Sequence, residues 1–485
     1  MAARQSDAHE FVFDTLVVAV AQVLLKLRGV VTLPLIVKLL GTASYGTFSQ
    51  VIAVSGLAGA LMAWNLHLAL VRFMVAQRER WGTIYASLLV ATAAFVAAGG
   101  GVMALFARPL GDALIGGADA ATYLLLALGL VFAANVRQIN LNVYRATNRF
   151  VARSAVELAT TFGELVGMYL AIRLGYGLKG AFLFALAWEM LAAAATTAHA
   201  VSITGWGKVD LAVIRVGLAY SAPLISVSLA VWVMDRADRF VLNTYLGPRA
   251  VGIYSASYTL ASFVLLFQTP FQMTLMPKVS GLWDTDRSSA ERYISLSNRA
   301  FLTLAIPFTV GAAALAPALL AWLGNAEIAA DSDRITLLLG AGVLLWGVGT
   351  MVMQALYAAR RTVVVGVITT AGAAVNMGLN LAFVPRWGVL AAAASTLAAY
   401  ALVCAALVVV VARVARVAYQ PGYVLKCCAA ALAMGAVLRL AQPRAPLALL
   451  AAAAGGLVVY ALLLVAMRAL SAADLEWLRR LVARR

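Results

Sequence analysis

Again and again along this chain, a run of about twenty predominantly apolar residues gives way to a short polar loop carrying lysine or arginine. A helix of about 20 apolar residues crosses the hydrocarbon core of a bilayer, and in lipid each backbone group must be satisfied within the protein. The runs begin near Thr15, Gly46, Thr83, Ala121, Ser154 and Lys179, then near Gly217, Gly252, Ala300, Ile335, Thr362 and Val389, and finally near Tyr423 and Leu447. The predicted fold is an all-α polytopic membrane protein with about fourteen transmembrane helices. Composition agrees, with 64% hydrophobic residues, 12% charged and a mean hydropathy of +0.92. Soluble domains hold nearer a quarter charged residues. The net charge of +17 would suggest nucleic acid in a soluble chain. Here the basic residues punctuate apolar segments and read as topology signals, so no nucleic-acid partner is expected.

Basic residues set the orientation. With the N-terminus inside, the inner loops hold Arg78/Arg80, Arg145/Arg149/Arg153, Arg287/Arg292, Arg360/Arg361 and Arg413/Arg416, whereas the outer loop 324–333 is acidic. Both termini are therefore expected in the cytoplasm. Proline lies inside the first span (Pro34) and the eighth (Pro270, Pro277), predicting bends. The tail, Ser471 to Arg485, sets Leu475, Leu478, Leu481 and Val482 among arginines, the pattern of an amphipathic helix on the anionic inner leaflet. Cys404, Cys427 and Cys428 show no framework spacing, so no structural disulfide is predicted.

The chain repeats itself. Leu40-Gly41-x-x-x-x-Gly46-x-Phe48-Ser49 returns as Leu246-Gly247-x-x-x-x-Gly252-x-Tyr254-Ser255. Tyr144-x-Ala146 returns as Tyr357-x-Ala359, and Arg173-Leu174-Gly175 as Arg386-Trp387-Gly388. With six spans per copy both copies enter the membrane from one side, which makes a parallel repeat. This predicts an N-terminal six-helix lobe (1–205), a C-terminal six-helix lobe (206–415), and a remainder (416–485) with two additional helices and the basic tail.

These residues also carry a resemblance. The first span with its Leu-Leu-Gly-Thr-Ala-Ser-Tyr-Gly-Thr-Phe exit resembles the polysaccharide-flippase (Wzx-type) branch of the multidrug/oligosaccharidyl-lipid/polysaccharide exporter superfamily. So do Asn65-Leu66 with Leu70-Val71-Arg72-Phe73, and the Asp-Arg-x-x-Arg-Phe-x-Leu run from Asp235 that ends in Gly-Ile-Tyr-Ser. The resemblance covers about residues 12–415. It implies a bacterial inner-membrane transporter that moves undecaprenyl-diphosphate-linked oligosaccharide for surface polysaccharide such as O-antigen, lipopolysaccharide or exopolysaccharide. Glycan polymerase or assembly proteins are implied partners. Lipid II flippases and cation-coupled multidrug antiporters are similar in fold and stand as alternatives.

Ten ionisable residues fall within spans: Lys26, Arg28, Arg137, Arg236 and Arg239, and Glu157, Glu164, Glu189, Asp235 and Asp238. At roughly 2.5–3.5 kcal/mol each near a helix centre, exposing all of them to lipid is prohibitive, so most face one another or water. The basic five are the predicted seat for a diphosphate, where arginine offers forked donors and lysine a point charge. Lys26 and Arg28 lie 200° apart on a helical wheel, so one lines a cavity while the other pairs with an acid; Arg28 is the favoured seat. Asp235 and Arg239 are spaced to pair in cis, which would leave Arg236 the freer cation. The acids have two readings. A buried carboxylate can trade protons or bind a cation, which allows H+ or Na+ coupling centred on Glu164. Alternatively, they balance the cations. His9, His67 and His199 form no cluster with ligand spacing, so no metal or other cofactor is predicted. No GxxxxGK[ST] loop occurs, and no extramembrane loop is long enough for a glycan-joining active site, so the chain is not read as an enzyme.

Overall fold

The computed structural model describes residues 2–441, 443 and 445–469, excluding the side chains of residues 2–16, 19, 223, 224, 273, 274 and 277. The predicted tail helix from Ser471 and the side chains of His9 and Pro277 lie outside these. Among the described residues there is no strand. Among the described residues, ten helices are long and apolar enough to cross a membrane, or eleven if the bent pair Leu211–Ala222 and Ile225–Ser262 is one span. The chain is a multi-pass membrane protein. The figure of about fourteen depends on how broken helices are counted, since one helix of 51 residues contains both predicted segments after Thr362.

Contacts divide the chain into two compact units, Met1–Ser255 with Met377–Gly388, and Ala256–Asn376 with Val389–Arg485. The first holds α1 (Ala2–Leu40), α2 (Thr42–Met62), α3 (Leu66–Ala76), α4 (Trp81–Leu105), α5 (Ala107–Leu114), α6 (Ala120–Ala146), α7 (Phe150–Arg173), α8 (Gly177–Thr204), α9 (Leu211–Arg236) and most of α10 (Asp238–Ser262). Helices α1, α7, α8 and α6 are successive neighbours, while α9 lies along α2, α3 and α4. The α7–α8 seam is a Gly163-x-x-x-Gly167 motif. A Cβ on Gly163 would stand 2.3 Å from the Trp188 ring, and one on Gly167 1.6 Å from the Phe184 ring. Small residues four apart let helices in a membrane approach closely, and here the space they leave is filled by aromatic rings.

A polar pin holds α4, α6 and α8 together. The Tyr85 hydroxyl donates to Asn140 Oδ1 at 2.8 Å, and Asn140 Nδ2 donates to Thr196 Oγ1 at 3.0 Å and Thr197 Oγ1 at 2.9 Å. Tyr85 and Asn140 are fully buried beside a core of Leu66, Leu70, Leu88, Ile139 and Val143. Tyr85→Phe leaves a buried acceptor unpaired and is expected to cost about 1–3 kcal/mol. Denaturant unfolding in detergent measures this; an unchanged midpoint would mean that the pin contributes nothing.

The second unit holds α11 (Val264–Leu282), α12 (Arg287–Leu323), α13 (Ala326–Ala329), α14 (Ser332–Ala358), α15 (Thr362–Ala412, outside 377–388), α16 (Pro421–Ala441) and α17 (Pro446–Ala466). α12 starts at an Asp286 cap that accepts from the Ser289 amide at 3.1 Å; hydrogen bonds from Ser289 and Ser288 hold its carboxyl below the usual carboxylate range. The two helices without a repeat counterpart, α16 and α17, share a core with α12 built on Tyr423, Met434, Leu438 and Tyr460. The acidic loop is tied to α16 by Arg439, 2.7 Å from Asp333.

The sequence repeat reappears as backbone punctuation. Gly41 (φ 89°) ends α1 and Gly247 (φ 77°) breaks α10; Gly175 (φ 86°) follows α7 and Gly388 (φ 66°) breaks α15. Only glycine adopts such angles freely. After α6 the Arg149 amide bonds back to Tyr144 across Asn148 (φ 57°), and after α14 the Arg361 amide bonds back to Leu356 across Arg360 (φ 57°).

Candidate functional site

The four neighbouring helices α1, α7, α8 and α6 carry two ion pairs near their mid-lengths. Arg28 Nη2 is 2.7 Å from Glu164 Oε1 across α1–α7, and Arg137 Nε is 2.6 Å from Glu189 Oε1 across α6–α8. The glycine seam between α7 and α8 brings the two acids into one neighbourhood, so that Glu164 feels the charges of Glu189 and Arg137 as well as Arg28. The set is electrically neutral, as low-dielectric surroundings demand. Arg28 lies about 18 Å along the helix from the Leu40 end of α1, at 1.5 Å per residue.

Lys26, two residues from Arg28 and round the other side of α1, is exposed and makes no ion pair or hydrogen bond among the described residues. Sequence reasoning favoured Arg28 as the available cation; the structure engages Arg28 with Glu164 and leaves Lys26 open. Pairing of this kind depends on which helix faces which, and the spacing of two residues cannot encode it.

Arg236, expected to be the freer cation, has its Nε 3.1 Å from Asp235 Oδ2. Arg239 reaches Asp238 Oδ1 at 3.1 Å and the Asp235 backbone carbonyl at 2.7 Å, and stacks over Tyr254, whose hydroxyl also bonds Asp238. Asp238 and Arg239 are almost wholly buried. This cluster ties the α9–α10 elbow, where α10 restarts and Asp238 comes beside the guanidinium. Glu157 pairs locally with Arg153 at 3.2 Å. Most of the polar run on α6 turns inward: Asn135 and Asn142 donate to backbone carbonyls one turn back, and Asn140 forms the pin. Arg72, within α3, lies 4.7 Å from the Tyr220 ring centre.

One turn beyond Arg28, α1 and α7 part to leave an open groove of about 470 Å³. Val31, Pro34, Leu35, Phe162, Val166 and Tyr169 line it, with Lys38 at the end nearer Leu40. The Tyr169 ring carries Arg173 at 5.5 Å. An apolar groove flanked by cations suits a long hydrocarbon chain that ends in an anion. The motif that shapes this region, Gly163-x-x-x-Gly167, escaped the sequence reading although its spacing is legible.

The long apolar helices and the ion pairs near their mid-lengths define an all-helical, multi-pass membrane protein whose buried charges are balanced within the bundle. The chain belongs to the polysaccharide biosynthesis protein family, whose model matches residues 11–283. A curated relative, the probable flippase AglR of Haloferax volcanii, is 31% identical over 168 residues, 33% of this chain and 34% of that protein. The match thus spans about a third of that relative's length. The structure of the lipid II flippase MurJ in an inward closed conformation superposes with a TM-score of 0.76 at 15% identity, covering 92% of this chain and 98% of that one. A multidrug resistance MATE family transporter of the MOP superfamily gives 0.58 at 13% identity, covering 80% and 94%. At these identities the structural likeness concerns the fold.

Proposed function

We propose that this protein flips a polyprenyl-diphosphate-linked oligosaccharide across the bacterial cytoplasmic membrane by alternating access, for surface polysaccharide assembly. The observation that carries this reading is an open cation, Lys26, on the same helix as the neutral charge network and as the apolar groove that opens one turn beyond Arg28. Lys26 and the guanidinium of Arg28 attract the diphosphate, the polyprenyl chain lies along the α1–α7 groove, and the glycan crosses through water. Glu164 and Glu189 hold the arginines in place, and Glu164 is the candidate for H+ or Na+ coupling. The basic loops support cytoplasmic termini.

The test is flipping in proteoliposomes, using a fluorescent short-chain polyprenyl-diphosphate saccharide and an external sugar-modifying reagent. Protein-dependent loss of protection is the expected result. Efflux of a cationic dye under an ion gradient, with no flipping, would establish the antiporter alternative, and flipping only of lipid II would assign the cargo to peptidoglycan synthesis.

A further inference from the structure

The repeated glycine phrase meets its own copy. Gly46 lies one turn into α2, and Gly252 one turn past the Gly247 break in α10. A Cβ on Gly46 would stand 1.7 Å from the Pro248 carbonyl oxygen and 3.0 Å from the Gly252 nitrogen. A Cβ on Gly252 would stand 2.4 Å from the Thr42 carbonyl oxygen and 3.3 Å from the Gly46 nitrogen. The contact is reciprocal, as in an isologous interface, with backbone pressed on backbone where no other residue fits. Beside it, Gln50 Nε2 donates to the Leu114 carbonyl at 2.6 Å and Asn243 Nδ2 to the Ile115 carbonyl at 2.8 Å. One amide from each copy thus grips consecutive carbonyls at the end of α5. The other half of each amide, Gln50 Oε1 and Asn243 Oδ1, is buried without a hydrogen-bond partner among the described residues.

We infer that this junction is a latch that closes the transporter at the Leu40 end of α1 and parts once in each transport cycle. At the glycines themselves backbone meets backbone, so no large side chain has to be withdrawn there as the surfaces part. The two unmet oxygens are desolvated at a cost while the latch is shut and gain water when it opens, so closure is held near balance. The second glycine of the phrase sets how closely the copies approach, which explains why the phrase occurs twice. This inference rests on the alternating-access reading, because a latch that parts requires two states.

The experiment uses the full chain with Cys404, Cys427 and Cys428 replaced by serine, and spin labels on Ala43→Cys and Tyr245→Cys, exposed positions on the two sides of the contact. Pulsed electron-spin distances are read in proteoliposomes without cargo. Two distance populations are expected, with Gly46→Ala and Gly252→Ala each making the longer one dominant. A single short distance that neither substitution moves would overturn the latch. Should the alanine variants fail to fold, the same two cysteines joined by a cleavable bifunctional reagent serve instead. Transport is then expected to stop on joining and return on cleavage, and transport by the joined protein refutes the latch. The two readings fail separately: distances that part without any lipid-linked saccharide moving would remove the cargo assignment, and cargo moving through the joined protein would remove the latch alone.

Discussion

Arg137→Ala is expected to lower the unfolding free energy by about 3–5 kcal/mol, a large part of the ~5–15 kcal/mol that holds an ordinary domain together. Removing the arginine leaves Glu189 behind, mostly buried at the α6–α8 seam with its charge uncompensated. Adding Glu189→Ala removes the orphaned charge, and the double variant should recover most of the loss. Unfolding titrations of the two single variants and the double variant form a thermodynamic cycle in detergent. Equal instability of Arg137→Ala and the double variant would mean that the cost comes from lost packing and that the pair carries no charge balance.

Lys26→Ala is expected to slow flipping by roughly ten- to a hundredfold while leaving the fold intact. A hydrogen bond to a charged group contributes about 1.5–3 kcal/mol, and 1.4 kcal/mol is a factor of ten. Lys26 has no protein partner to lose among the described residues, so the effect should fall on transport alone. Lys26→Arg should retain most of the activity. Arg28→Ala confounds the two effects, since it also strands Glu164; Arg28→Gln with Glu164→Gln separates them by keeping shape and neutrality. Full flipping by Lys26→Ala with none by the glutamine pair would restore Arg28 as the seat that its sequence position suggested.

The contrast between these residues shows where sequence reasoning reaches its limit. Apolar runs and the repeated Leu-Gly phrase were legible, because span length is fixed by bilayer thickness and left-handed turns by glycine. The same residues reappear as Gly41, Gly175, Gly247 and Gly388 at helix ends or breaks. Which acid neutralises which cation was not legible. Helical spacing offered Asp235 to Arg239, but it did not show that the α9–α10 turn also brings Asp238 to Arg239 or that Arg236 lies beside Asp235. Nor were the partners of Asn140 legible, because Tyr85, Thr196 and Thr197 come from two other helices to pair with it.

The sequence by itself determined a multi-pass helical bundle, its repeat and the list of charges that must be neutralised in the membrane. The tertiary structure alone decided which of those charges are spent on one another and which remains open at Lys26. It also decided that the two copies of the glycine phrase touch. The physical reason is one of range. Hydropathy and backbone angles are properties of neighbouring residues, whereas these salt bridges and glycine contacts are fixed only when separate helices are laid side by side, 136 residues apart for Arg28–Glu164 and 52 for Arg137–Glu189.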